Sequence, residues 1–447
     1  MNKWFLLLKR LSLGLLLAYS QSATAAELPA PLTEDHYRST NLAEAKLGQL
    51  LFWDPILSGN QNISCASCHH PRFGTSDGLS LGIGEGGIGL GPTRSIEEHN
   101  IPEQRIPRNS PALFNLGAKE FAVLFHDGRI EADPTRSSGL RTPLEEDMMV
   151  GFANALSAQT MFPVLSSDEM AGHYSENEVS RAVRQGRITG PNGAWDIIAK
   201  RVAGIEEYRS QFRRVYPEIE AGREVAFTDI SNAIAAFIGF EWRSDDSPFD
   251  RYLRGVDVIE AEALAGMELF YGEARCSECH SGAFQTDHGF HAMGVPQIGP
   301  GKAARFEKHA KDVGRMRVTG VEADAYAFRT PSLRNVTETA PYGHSGAYQS
   351  LSGFVEAHTT PSQTFESYAR DMAVLPKLSG ASDWRALDDL PEKIAISLAA
   401  KPAPHVELSE AEIGQIIAFL NSLLDPVAVN GRLGTPATVP SGLPLEN

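Results

Sequence analysis

Two five-residue stretches, Cys65-Ala66-Ser67-Cys68-His69 and Cys276-Ser277-Glu278-Cys279-His280, use all four cysteines of this 447-residue chain. Each reads C-x-x-C-H, the spacing at which two thiols form thioethers to a haem while the adjoining histidine reaches its iron. Two matches that consume every cysteine point to two covalent c-type haems, and hence to electron or peroxide chemistry. A disulfide has no need of the histidine that follows each pair. Zinc is a poor alternative too, because a histidine next to the second cysteine cannot easily share its tetrahedron.

The elements around both motifs repeat. Leu47-Gly48-Gln49-Leu50-Leu51-Phe52 precedes the first and Ala265-Gly266-Met267-Glu268-Leu269-Phe270 the second. Both read as the end of an amphipathic helix delivering the chain into an attachment loop. Each half also closes on a helical pattern. Thr228 to Trp242 carries Ile230, Ile234, Phe237 and Ile238 at helical spacing. Near the other end, Ser409 and Glu412 fit a capping box ahead of an Ile413, Ile416, Ile417, Leu420 stripe. The expected fold is mainly α with long loops, built as two c-type cytochrome domains that each hold one covalent haem.

The expected organisation is a signal peptide over 1–25, a first haem domain over 26–245, a second over 246–426 and an extended tail over 427–447. Lys3, Lys9 and Arg10 precede the apolar run Leu11 to Tyr19, and Ala23-Thr24-Ala25 offers a cleavage site. The run is too short to span a bilayer, so a secreted, periplasmic protein with no stable membrane span is expected. Asp245-Asp246-Ser247-Pro248 breaks the helical pattern between the halves. The Pro- and Gly-rich tail reads as extended or disordered. Gly82 to Gly91 contains G-x-G-x-x-G, but without a preceding strand it is no nucleotide site, and it reads as a mobile loop near the first haem. A formal net charge of -16 argues against nucleic-acid binding.

Further segments make the chain resemble the bacterial dihaem cytochrome c peroxidase and MauG superfamily over almost the whole mature length. They are Leu51-Phe52-Trp53-Asp54, Arg108-Asn109-Ser110-Pro111, Phe125-His126-Asp127-Gly128-Arg129 and Ser247-Pro248-Phe249-Asp250. Phe328-Arg329-Thr330-Pro331-Ser332-Leu333-Arg334-Asn335-Val336 and Thr339-Ala340-Pro341-Tyr342-Gly343-His344-Ser345-Gly346 follow in the same order. The resemblance implies that His69 is the proximal ligand of a peroxide-binding first haem, and His280 that of an electron-relaying second haem. It also implies a distal glutamate ten residues after a glutamine. Leu156, Gln159, Pro163, Glu169 and Met170 reproduce that pattern, which makes Glu169 the candidate proton carrier and Gln159 its orienting partner. Glu145 and Glu146 are the rivals, closer to the Phe125 segment. Where some relatives close the first haem with a histidine, this chain has Glu85, so an open first haem is expected.

Two departures from the family pattern stand out. Fourteen residues after His344, where relatives carry Met or Tyr as sixth ligand of the second haem, this chain has His358; Met372 is the rival. Bis-histidine ligation lowers a haem's potential relative to Met/His, which moves weight toward MauG-like chemistry. His126 replaces the tryptophan that relatives place between the haems, and imidazole is harder to oxidise than indole. The resemblance further implies one calcium ion held by Asn109, Thr339 and the Pro341 carbonyl.

The resulting expectation is a periplasmic peroxidase that reduces hydrogen peroxide with electrons from a small c-type cytochrome or cupredoxin. The alternatives are a MauG-like oxidase acting on a partner protein and a non-catalytic dihaem electron carrier. Relatives are often homodimers, though no dimer signature is evident here.

Overall fold

In a computed structural model of the protein, residues 27–302, 307–400 and 406–446 are described. The expected signal segment lies outside them. The chain is mainly helical, and its few strands are two or three residues long. No helix among the described residues is long and apolar enough to cross a membrane.

Two helix pairs organise the molecule, and each joins the helix before an attachment loop to the closing helix of the same half. Leu42–Trp53 packs on Phe227–Glu241, and Ala261–Tyr271 packs on Glu410–Asn421. At each crossing a glycine allows the backbones to touch. A Cβ on Gly48 would lie 1.8 Å from the Ala233 carbonyl oxygen, and one on Gly266 would lie 1.8 Å from that of Gln415. Any side chain there would push the helices apart. The repeated Leu-Gly and Ala-Gly pairs of the sequence are therefore the same contact made twice. The capping box forms as expected, with the Glu412 N–H donating to Ser409 Oγ at 3.3 Å and the Ser409 N–H to Glu412 Oε2 at 2.7 Å.

Separate apolar cores lie beneath the two pairs. The larger includes Phe52, Trp53, Trp195, Phe237 and Trp242; the smaller is built on Phe249, Phe270, Tyr271 and Phe419. Beside the smaller core runs a fully buried ion pair, Arg334 to Asp250 at 2.6 Å. Burial alone would raise the Asp250 carboxyl pKa, but Arg334 outweighs it and the net shift is downward. Two of the sequence motifs thus serve structure. Asp250→Asn is expected to cost about 3 kcal/mol, because it strands a buried guanidinium, and denaturant unfolding measures this.

The halves are joined by polar contacts. Arg108 forks onto Asp312 at 2.7 and 2.8 Å and reaches Asp127 at 3.1 Å, all three buried. Asp127 belongs to a hairpin whose strands, Val123–Leu124 and Ile130–Ala132, pair antiparallel with Leu124 opposite Ile130. Its turn is the Phe-His-Asp-Gly-Arg motif, with Phe125 and Gly128 at φ 65° and 68°. Phe290 and Arg315 of the second half close over Gly128 so tightly that no Cβ fits.

Two readings of irregular segments need correction. The glycine-rich loop is not free: residues 81–86 are buried, and Arg94 threads the loop by donating from Nε to the Ile83 carbonyl at 2.7 Å. Nor is the tail disordered. A short helix, Pro426–Asn430, starts it, and the Leu433 and Gly434 N–H groups then donate to Glu241 at 2.6 and 2.8 Å. Ser441 Oγ donates to Asp54 at 2.7 Å, and Val439 is buried. The segment straps the first half through these polar anchors, which hydrophobic patterning does not register.

Candidate functional site

Both C-x-x-C-H stretches fold into the same single turn. The His69 N–H donates to the Cys65 carbonyl at 2.9 Å and the His280 N–H to that of Cys276 at 2.9 Å. Residues four apart in such a turn share a face, so the first sulfur and the imidazole point the same way. His69 Nδ1 faces the Thr75 carbonyl at 3.0 Å, and His280 Nδ1 faces that of Gln285 at 3.1 Å. Carbonyls only accept, so Nδ1 carries the proton and Nε2 keeps its lone pair, the tautomer a metal-ligating imidazole needs. Burial lowers the pKa of both rings. That of His280 falls to about 4, with nearby His358 the second cause.

None of the four cysteines is in a disulfide, and each thiol is pushed up in pKa, chiefly by burial; Cys65 and Cys276 reach about 12. A thioether sulfur is neutral, so burying it carries no charge penalty. One histidine and two sulfurs per loop are the donor set that a covalently held haem in each half would need. The Arg-Asn-Ser-Pro segment supports the first loop, with Ser110 Oγ donating to the Cys68 carbonyl at 2.7 Å.

His358 stands on the helix Leu351–Thr359, with Nδ1 facing the Phe354 carbonyl at 2.8 Å and burial lowering its pKa. It is therefore a neutral ring with Nε2 available, close enough to His280 to perturb it. The rival, Met372, is 39% exposed.

Glu169 lies in a π-helical turn, Ser167–Ala171. Its pKa is raised by burial, against the pull of Lys302 and Arg129. Glu169 is also among the charges that act on Cys68, so carboxylate and attachment sulfur share one region. Its side chain is half-buried and keeps some accessible surface. Gln159, on the helix Ala155–Thr160, has a buried side-chain oxygen without a partner. Glu145 and Glu146 are exposed and pair with Arg136 at 3.0 and 2.8 Å, far from such a role.

The structure adds residues that sequence reasoning missed. Lys302, from the second half, is pushed down to about 8 by burial and by the Arg129 and Arg108 charges, and Glu169 is among its neighbours. Asp77 is pushed up to about 7 by burial and acts on the same Cys68. The only sequence signal for Lys302 is its place in a Gly-Pro-Gly-Lys loop, because Arg108, Arg129 and Glu169 lie over a hundred residues away in the chain.

At the joint of the halves, His126 is half-buried, and desolvation, Arg108 and His344 drive its pKa well down. Beside it the His344 ring stacks on Phe328, with centroids 3.7 Å apart and planes at 9°. Of the residues expected to hold calcium, Asn109 donates its backbone N–H to the His344 carbonyl at 3.0 Å, three residues past Pro341, and its amide to the Leu79 carbonyl at 2.8 Å. Thr339 Oγ1 donates to the Val336 carbonyl at 3.0 Å.

Residues 42–257 match the family described as di-haem cytochrome c peroxidase. The methylamine utilization protein MauG of Methylorubrum extorquens is 28% identical, over 79% of this chain and 80% of its own length. Cytochrome c551 peroxidase of Pseudomonas aeruginosa is 29% identical, over 73% and 74%. Among solved structures, a MauG-like protein associated with microbial copper homeostasis superposes with a TM-score of 0.57 at 24% identity, covering 92% of this chain and 97% of that one. The diheme peroxidase BthA of Burkholderia thailandensis gives 0.55 at 19%, covering 95% and 97%. These two share the fold.

Proposed function

Because the chain belongs to the di-haem cytochrome c peroxidase and MauG superfamily, we propose that it reduces hydrogen peroxide to water with electrons from a small redox protein. It is an oxidoreductase of the cytochrome c peroxidase type, and haem is its cofactor. The finer assignment is a first haem on Cys65, Cys68 and His69 within 26–245, and a second on Cys276, Cys279, His280 and His358 within 246–426. When bound, the first haem supplies an iron for peroxide and the second an electron store. A signal peptide over 1–25, a periplasmic location, and calcium at Asn109, Thr339 and Pro341 complete the reading.

One observation carries it: Glu169 is a half-buried carboxylate whose pKa is raised by desolvation, in the same region as the first attachment loop. Splitting peroxide to water needs a proton taken from one oxygen and delivered to the other. In this reading Glu169 carries the proton in both transfers, and its raised pKa brings proton uptake nearer neutral pH. Gln159, with its side-chain oxygen unpaired, orients the acid or the bound peroxide. Lys302 and Arg129 oppose the rise in the Glu169 pKa and favour the ionised form. His69, locked in one tautomer by Thr75, keeps Nε2 directed as a ligand.

His358 favours a second reading, in which peroxide drives oxidation of a partner protein, since a second haem with two imidazoles has a lowered potential. Adding peroxide to the ferric protein without a donor separates the two. Rapid turnover only with reduced cytochrome c supports the peroxidase, and a long-lived doubly oxidised protein supports the oxidase. A plain electron carrier would show two six-coordinate haems and no peroxide reaction. The covalent linkage has its own check: acidified organic solvent is expected to leave all pigment with the polypeptide. Pigment in the organic layer would remove the thioether assignment.

A further inference from the structure

We propose that Glu85, Asn62 and Asn100 form a calcium site that ties the glycine-rich loop to the segment entering the first attachment loop. Glu85 is 1% exposed. Its Oε1 accepts three amide N–H bonds, from Asn60 at 3.0 Å, Asn62 at 2.8 Å and Asn100 at 2.7 Å. Its Oε2 is buried and accepts none. Asn62 and Asn100 each spend their amide donor on this carboxylate, and their own carbonyl oxygens are likewise buried without partners.

Three unpaired acceptors, Glu85 Oε2 and the two amide oxygens, thus belong to one hydrogen-bonded cluster. Turning either amide over would set its oxygen against Oε1, so the orientation is fixed by Glu85 itself. Each orphaned group costs about 1–3 kcal/mol if left unmet. A single water has two protons to give and falls short of three acceptors. A hard cation satisfies all of them, and a carboxylate with amide carbonyls, completed by water, is a calcium donor set. Charge agrees: Asn60 also donates to Glu176 at 2.7 Å, which places a second carboxylate at the rim.

The site would act on the peroxide region through the loop. A Cβ on Gly86 would lie 2.0 Å from the Asn100 carbonyl oxygen, and one on Gly84 2.7 Å from Glu169 Cα. The loop is therefore clamped between the proposed site and the turn that carries Glu169. These residues are separate from Asn109, Thr339 and Pro341, and the inference does not depend on the catalytic reading.

The test is calcium binding by the full-length holoprotein after chelator treatment, followed by calorimetry and by metal content after desalting. Wild type is expected to take up one more calcium per chain than Glu85→Gln, and Asn62→Ala is expected to weaken that uptake at least tenfold. Calcium is also expected to raise the wild-type melting temperature by more than that of Glu85→Gln. Should Glu85→Gln fail to fold, Asn100→Ala replaces it and must show the same loss. Equal uptake by wild type and variant, or none by wild type, overturns the proposal.

Discussion

Glu169→Gln is expected to slow the reaction with peroxide by about 10²- to 10⁴-fold, the range supplied by a positioned acid–base group. Glutamine fills the same space and keeps the turn, so both haem absorption bands and the melting temperature should persist. The same change at Glu145 or Glu146 is expected to do nothing, because those carboxylates sit in solvent against Arg136. Retained reactivity in Glu169→Gln would transfer the role elsewhere, with Asp77 the next buried acid.

The pH profile gives a second readout on the same residue. Only the ionised carboxylate can accept the first proton. Burial raises its pKa above the usual carboxylate value, so reactivity should fall as pH drops through that raised value, earlier than an exposed glutamate would allow. In Glu169→Gln this acid limb should vanish. Lys302→Met would remove a nearby cation that favours the charged form, and should shift the limb to higher pH without abolishing it. A limb that does not move would place Lys302 outside the proton path.

How much of this could be read from the chain depends on how local the physics is. The haem-attachment pattern needs two thiols and an imidazole within five residues, so Cys65 to His69 and Cys276 to His280 are legible as candidates from the chain alone. The closing helix is equally local, because Ser409 and Glu412 satisfy each other's backbone N–H groups. The glycine-rich loop was misjudged for the opposite reason. Its stability comes from Arg94 threading it and from Asn60, Asn62 and Asn100 gripping Glu85, contacts that composition cannot register. What holds the extended tail in place is hidden in the same way, since Glu241 and Asp54 anchor it from more than 190 residues away. Long-range polar pairing is what the sequence conceals, and Lys302 beside Glu169 is its functional instance.

His358→Met is expected to raise the potential of the second haem by a sizeable part of the roughly 0.8 V that axial ligands span. Thioether sulfur favours the reduced iron relative to imidazole, and Met/His ligation is the arrangement associated with high potential. His358 is prepared as a ligand: its Nδ1 proton is fixed on the Phe354 carbonyl at 2.8 Å, burial keeps the ring neutral, and His280 senses it directly. His358→Gly should instead leave a coordination position open and turn a low-spin signal high-spin, measurable by electron paramagnetic resonance of the ferric protein. An unchanged spectrum in His358→Gly would exclude this residue from the iron and restore Met372 as the candidate, despite its exposure. The consequence for function is directional. If the potential rises in His358→Met, the variant should accept electrons from cytochrome c more readily and hold oxidising equivalents less long. The imidazole would then be the feature that sets this chain between the peroxidase and oxidase behaviours.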